Sequence, residues 1–137
     1  MLGSLALGEG VNMTDLGSRF VAALAAKDTN RLVALFASEV DFRGMTPRRF
    51  WEVDSPQRVV HEVLYEWFEP KDVIERVDYV EAGQVADRQR VDYRFLVRNA
   101  DGSFLVEQRA YFDVDAAGRI CYMRVICSGY QSTAERS

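Results

Sequence analysis

With 137 residues, 48% of them apolar and 28% charged, the chain can build one domain with a sizeable core. Its net charge of -4 denies it the basic face of a nucleic-acid binder, and its apolar runs fall short of the roughly 20 residues that span a bilayer. The two cysteines, Cys121 and Cys127, are six residues apart in one expected strand, or about 20 Å, so they read as free thiols of a cytoplasmic protein.

Residues 1–13 read as a disordered or vector-like lead-in, because no basic segment opens them and Glu9 interrupts their apolar character. A single domain is expected over 14–131, with 132–137 as a tail. Thr14 and Asp15 are helix-capping types, and Leu16, Phe20, Ala23 and Leu24 follow at helical spacing. Asp28 or Thr29 can cap a second helix with Leu32, Leu35 and Phe36 as its buried stripe. Val40 and Phe42 predict a short strand, and Gly44 to Asp54, with Pro47, Phe50 and Trp51, predicts a loop. Ser55-Pro56 is a helix start whose helix carries Val59, Val60, Val63, Leu64, Trp67 and Phe68 on one face and ends near Pro70.

From Val73 the apolar period changes to two. Turn signals at Ala82-Gly83, Asn99-Ala100-Asp101-Gly102 and Asp115-Ala116-Ala117-Gly118 divide the rest into four long strands. Strands of this length must twist and curl, which makes one face concave and leaves it for the helices to cover. For the hairpin around Ala100-Asp101, residues whose numbers sum to 201 fall opposite each other. Arg94 then meets Glu107, Asp92 meets Arg109, Arg88 meets Asp113 and Arg90 meets Tyr111, three ion pairs and a cation–π pair on one face. The other face, carrying Val91, Tyr93, Phe95, Val97 and their partners, is the inward one. A slip of one residue would break both sets.

The helical start, the aromatic loop and the closing segment AYFDVDAAGRICYMRV, taken in this order, resemble the nuclear transport factor two-like superfamily, which includes the SnoaL-like polyketide cyclases. The likeness covers about Leu16 to Tyr130. It implies an α+β, cone-shaped, cystatin-like fold: a curved antiparallel sheet of four to six strands with three N-terminal helices on its concave face. Members range from isomerases and cyclases to non-catalytic modules, so the fold alone licenses no activity. Where ketosteroid isomerases of this superfamily place a tyrosine and two aspartates, this chain has Phe20, Gly44 and Ala110. Without the general base, which typically contributes 10²–10⁴-fold, that activity is excluded. Arg90-Val91-Asp92 is similar to the Arg-x-Asp pair of limonene epoxide hydrolases, but the register puts both charges outside, and Val125 stands where the further Asp would be.

The inward parity leaves Gln89, Tyr93, Gln108 and Cys127 as polar lining, with Met123 between them and Phe20, Phe50 and Trp51 closing the mouth. That is the composition of a small-molecule site. An apolar, oxygenated ligand is expected, with Tyr93 and Gln108 as donors if the protein is a lyase, isomerase or cyclase; no cofactor or metal is implied. The alternative is that Tyr93 and Gln108 satisfy each other, the cavity is filled core, and the protein is a non-catalytic dimeric module. His61 is the one histidine; it is a catalytic base if its helix turns it into the cone and a surface residue otherwise. On the outer face Tyr111 is expected opposite Tyr122, with Ile120 and Ile126 beside them, which suits a homodimer surface, and the resemblance points to the same pairing.

Overall fold

Each helix begins on a cap that its own sequence supplies. Asp15 Oδ2 accepts from Ser18 N at 2.9 Å ahead of α1 (Leu16–Ala25), and Asp28 Oδ1 accepts from Arg31 N at 3.2 Å ahead of α2 (Thr29–Leu35). The structure, a computed structural model, describes residues 15–133, so the expected lead-in and the end of the tail lie outside the described residues. Between α1 and α2, Lys27 takes a left-handed φ of 51°. Its ammonium donates to the carbonyls of Glu69 and Asp72, at 2.6 Å each, tying this corner to the segment ahead of the third strand.

The third helix, α3, starts on Ser55 with Pro56 in its first turn and winds in three pieces: α-helical Pro56–Arg58, π-helical Val59–Leu64 and α-helical Tyr65–Trp67. The apolar stripes of all three helices are buried as their spacing requires, with Phe20, Leu24, Leu32, Val59, Val60 and Leu64 at 0% exposure.

The strands are β1 (Phe36–Thr46), β2 (Arg49–Val53), β3 (Val73–Val85), β4 (Arg88–Asn99), β5 (Gly102–Val114), β6 (Ile120–Cys127) and β7 (Gln131–Ser132). They form one curved sheet in the order β2-β1-β6-β5-β4-β3, with β7 added to β5. The fold is therefore α+β with three helices on a sheet, as expected, but the sheet is mixed: β1 runs parallel to β6, and Gly44 pairs with Val125. That long-range pairing leaves no local trace, since no turn joins the two strands.

Three local expectations need correction. The segment read as a loop contains β2, whose alternating Arg49–Val53 pairs with β1, Trp51 opposite Gly44; only Pro47-Arg48 turns. The β3–β4 turn lies at Ala86-Asp87, with Ala86 at φ 54°, and not at Ala82-Gly83. Gly83 stays in the strand because Arg90 lies across it, where a Cβ would collide with the guanidinium. Lastly, the pairing jumps between Asp113 and Val114, so Asp113 faces Tyr122 while Val114 faces Ile120. This bulge turns Ile120 into the core at 0% exposure and places Tyr111 opposite Arg124 instead of Tyr122, which removes Ile120 from any outer surface.

Candidate functional site

Where the sheet is deepest, the inward side chains lie in rungs across β4, β5, β6 and β1. The β4–β5 register has Tyr93 opposite Gln108 and Val91 opposite Ala110, and β6 continues the rungs with Cys127 opposite Gln108 and Val125 opposite Ala110. One rung is thus polar, Tyr93–Gln108–Cys127. The next is small, Val91–Ala110–Val125–Gly44. Phe20 of α1 meets Tyr93 edge-on at 6.2 Å, and Phe95 flanks it at 5.2 Å.

Tyr93 is 1% exposed and donates its hydroxyl to Gln108 Oε1 at 2.6 Å. Burial pushes its pKa well above the ordinary phenol value, so it stays protonated, with that proton given to Gln108. Gln108, 3% exposed, keeps an amide nitrogen with no hydrogen-bond partner among the described residues. Its amide favours the Cys127 thiolate, yet burial outweighs this and raises the thiol pKa; a thiol sulfur is in any case a weak acceptor. Turning the amide over moves the deficit without removing it, because the Tyr93 proton then lacks an acceptor. Cys127 accepts from Gly129 N at 3.4 Å. A second buried donor, Trp67 Nε1, is also unpaired. Sequence reasoning missed it because Trp67 reads as one more member of an apolar stripe.

The cone is filled. Phe20, Phe42, Val91, Phe95, Ala110 and Met123 are 0% exposed, so their surfaces meet each other and not a water-sized space. The grooves open at the end of the sheet and on its outer face. One of about 810 Å3 at the β3–β4 turn takes in Gln89 with Arg88, Asp113 and Tyr122, two rungs away from Tyr93. Another, of about 460 Å3, crosses the outer face at Tyr79, Asp92, Glu107, Arg109 and Ile126, and Tyr93, Gln108 and Cys127 also line it. Trp51 is half-buried, donates to Thr46 Oγ1 at 3.1 Å and lies edge-on to Trp67 at 6.0 Å, while Phe50 is 55% exposed at the hairpin tip. His61 is exposed on α3 with its ring against Tyr65 at 5.9 Å, away from the polar rung.

The outer face is a lattice of ion pairs. The three expected cross-strand pairs form: Arg94–Glu107 at 3.1 Å, Arg109–Asp92 at 2.8 Å and Arg88–Asp113 at 3.0 Å. Arg90 stands opposite Tyr111 as expected but turns its guanidinium to Asp92, at 2.7 Å, in place of the ring. Arg90 and Asp92 therefore pair on the side of the sheet away from the core, with no route to a substrate in the cone. Among the described residues no three His, Cys, Asp or Glu side chains converge as a metal site, and no helix is long and apolar enough to cross a membrane.

Comparison with solved structures finds this arrangement many times over. The chain has the SnoaL-like, cystatin-like fold. It is similar to a protein from Shewanella putrefaciens CN-32 named, provisionally, a SnoaL-like polyketide cyclase, at 10% identity and TM-score 0.62, covering 91% of this chain and 86% of that one. A provisionally named isomerase from Bacillus subtilis superposes at TM-score 0.67 with 9% identity, over 86% of this chain and 90% of the other. An LEH-like epoxide hydrolase from M. tuberculosis reaches TM-score 0.60 at 14% identity, over 82% and 80% of the two chains. No family model and no curated protein matches the sequence. Within the SnoaL-like fold, Arg90-x-Asp92 lies on the outer face and cannot act on a ligand in the cone. At these identities the likeness is one of fold alone.

Proposed function

We propose that the protein binds a small apolar ligand through an uncharged oxygen in the cone, with Tyr93 and Gln108 as its polar contacts. The observation that carries this reading is the unpaired, buried amide nitrogen of Gln108 beside a hydroxyl that is already committed. Such a donor costs about 1–3 kcal/mol while it lacks a partner, and a carbonyl or ether oxygen would satisfy it. The inward rungs carry no carboxylate or histidine among the described residues, so the proposed role is binding, without proton abstraction by the chain. A ligand oxygen that gained negative charge would be stabilised by the same donor.

A second reading is favoured by the filled interior: a non-catalytic module that dimerises through the outer face, where Ile126 is 54% exposed near Tyr111 and Tyr122. Titration with aromatic and polyketide-like compounds, read by melting temperature and tryptophan fluorescence, separates the two. A saturable response lost in Gln108→Leu and Tyr93→Phe supports the ligand site. No response across the panel, with a dimer that Ile126→Arg converts to monomer in sedimentation, supports the module.

A further inference from the structure

The inward residues of α3 and its C-cap come in adjacent pairs four positions apart: Val59-Val60, Val63-Leu64 and Trp67-Phe68. At about 100° per residue an α-helix carries each pair roughly 40° past the last, so Trp67 would stand roughly 80° round from Val59. An i→i+5 helix takes more than four residues per turn. The π winding of Val59–Leu64 cancels the drift, and all six residues are buried at 0–7% exposure. The seating of the indole and the winding of the helix are thus one choice.

The seat itself is made for a flat ring. The indole lies across β1 at Gly44, where a Cβ would come within 2.7 Å of Cζ2 and Cη2, beside the small rung of Val125, Ala110 and Val91. Phe42, at 6.2 Å, and Trp51, at 6.0 Å, enclose it. Its Nε1 is buried without a partner, so the seated state leaves a donor unsatisfied. From Gly44, Gln108 is one rung along and two strands across, roughly 12 Å away.

We infer that Trp67 is the gate of the cone: its indole occupies the ligand's place, and return of Val59–Leu64 from π to α winding swings it out. This rests on the cone being a ligand site, and it narrows the ligand to a flat aromatic with an uncharged oxygen at its far end. A turn of roughly 80° takes Trp67 off the inward face, gives its N–H to water and uncovers the small rung beside Gln108. The hydroxyl of Tyr130, donating to Trp67 O at 2.8 Å, latches the helix end in the closed state.

The test uses the full chain carrying Trp51→Phe, so that Trp67 is the one tryptophan of the two that remains. Exchange of the Trp67 indole proton, followed by NMR without ligand, reads the gate directly. Deleting His61, which is exposed in the π segment, restores α spacing to every inward residue of α3. The deletion should lock the gate and slow indole exchange at least tenfold. Gly44→Ala intrudes on the seat and should speed exchange at least tenfold, which keeps the test decisive if the deletion variant fails to fold. Unchanged exchange in Gly44→Ala, or faster exchange in the folded deletion variant, overturns the gate. Stopped-flow association of flat naphthoquinones and flavones, followed by Trp67 quenching, then tests the ligand. Exchange as expected with no association keeps the gate and rejects the cone as a ligand site, whereas association at one rate in all variants rejects the gate and keeps the site.

Discussion

Replacing Tyr93 and Gln108 singly and together distinguishes a polar pair kept for a ligand from one kept for the fold. In Tyr93→Phe the 2.6 Å bond is lost, and the amide of Gln108, 3% exposed, is stranded entirely. That variant should lose about 1–3 kcal/mol, at about 3–5 °C in Tm per kcal/mol for a chain of this length. Gln108→Leu strands only the Tyr93 hydroxyl and removes a nitrogen that had no partner. The two effects are of similar size and opposite sign, so its stability should lie within about 1 kcal/mol of the parent. The double variant strands nothing and should be about 1–3 kcal/mol more stable than the parent. Equilibrium urea melts measure all four proteins, with m unchanged if the folded states are alike. A Gln108→Leu loss of about 3 kcal/mol or more, or a double variant weaker than the parent, would mean that the amide is satisfied as it stands. The case for a waiting donor would then be gone.

Asp92 is 14% exposed and bridges Arg90 and Arg109; Asp92→Asn should cost about 1–2 kcal/mol, between an exposed and a buried pair, and leave ligand affinity unchanged in titration. Lys27→Met removes two charged hydrogen bonds to the carbonyls of Glu69 and Asp72 and should cost about 2–3 kcal/mol in a thermal melt. Burial alone would raise the pKa of Asp78, but hydrogen bonds from Arg94 and Arg76 outweigh it and hold the carboxyl below its ordinary value. Because the folded pKa lies below the unfolded one, this stabilisation is complete above about pH 4 and is lost as pH falls through the folded value. Asp78→Asn should therefore lower Tm at about pH 7 and flatten its decline between about pH 5 and pH 2, and equal slopes in both proteins would refute the assignment.

Local signals decide the helix starts and the β4–β5 hairpin. Caps at Asp15, Asp28 and Ser55 start the three helices, and the charges of β4 and β5 fix the hairpin register because a slip of one residue would separate every ion pair and turn the apolar set outward. Pairings between distant segments were not legible. β1 finds β6 in parallel with no turn between them, and β2 hid behind Gly44 and Pro47, which read as loop residues. Gly83 shows why a glycine is an ambiguous turn signal: here it makes room for Arg90 within a strand. Of the site, parity identified Tyr93, Gln108 and Cys127 as inward. Parity could not show that Phe20 packs on Tyr93 or that Trp67 fills the space over Gly44, since that depends on how side chains from several elements meet.

Side-chain parity on one strand limits what chemistry this fold can carry. Arg90, Asp92 and Arg109 would be a strong electrostatic device in a dry cone, where water cannot screen them. On the outer face, with Arg109 54% exposed, they hold the sheet's surface together and little more. The polar rung instead has one phenol, one amide and one thiol, and burial raises the pKa of both the phenol and the thiol, so neither is ionised at neutral pH. A rung of this kind offers donors to a ligand oxygen but no fixed charge to pair with an anion and no ionised group to take a proton. Moving the charge pair inward by a one-residue shift of β4 would also turn Tyr93, Phe95 and Val97 out into water. Acquiring hydrolase-type chemistry in that way would thus cost the core that folds the domain, whereas the proposed binding role leaves the sheet as it is.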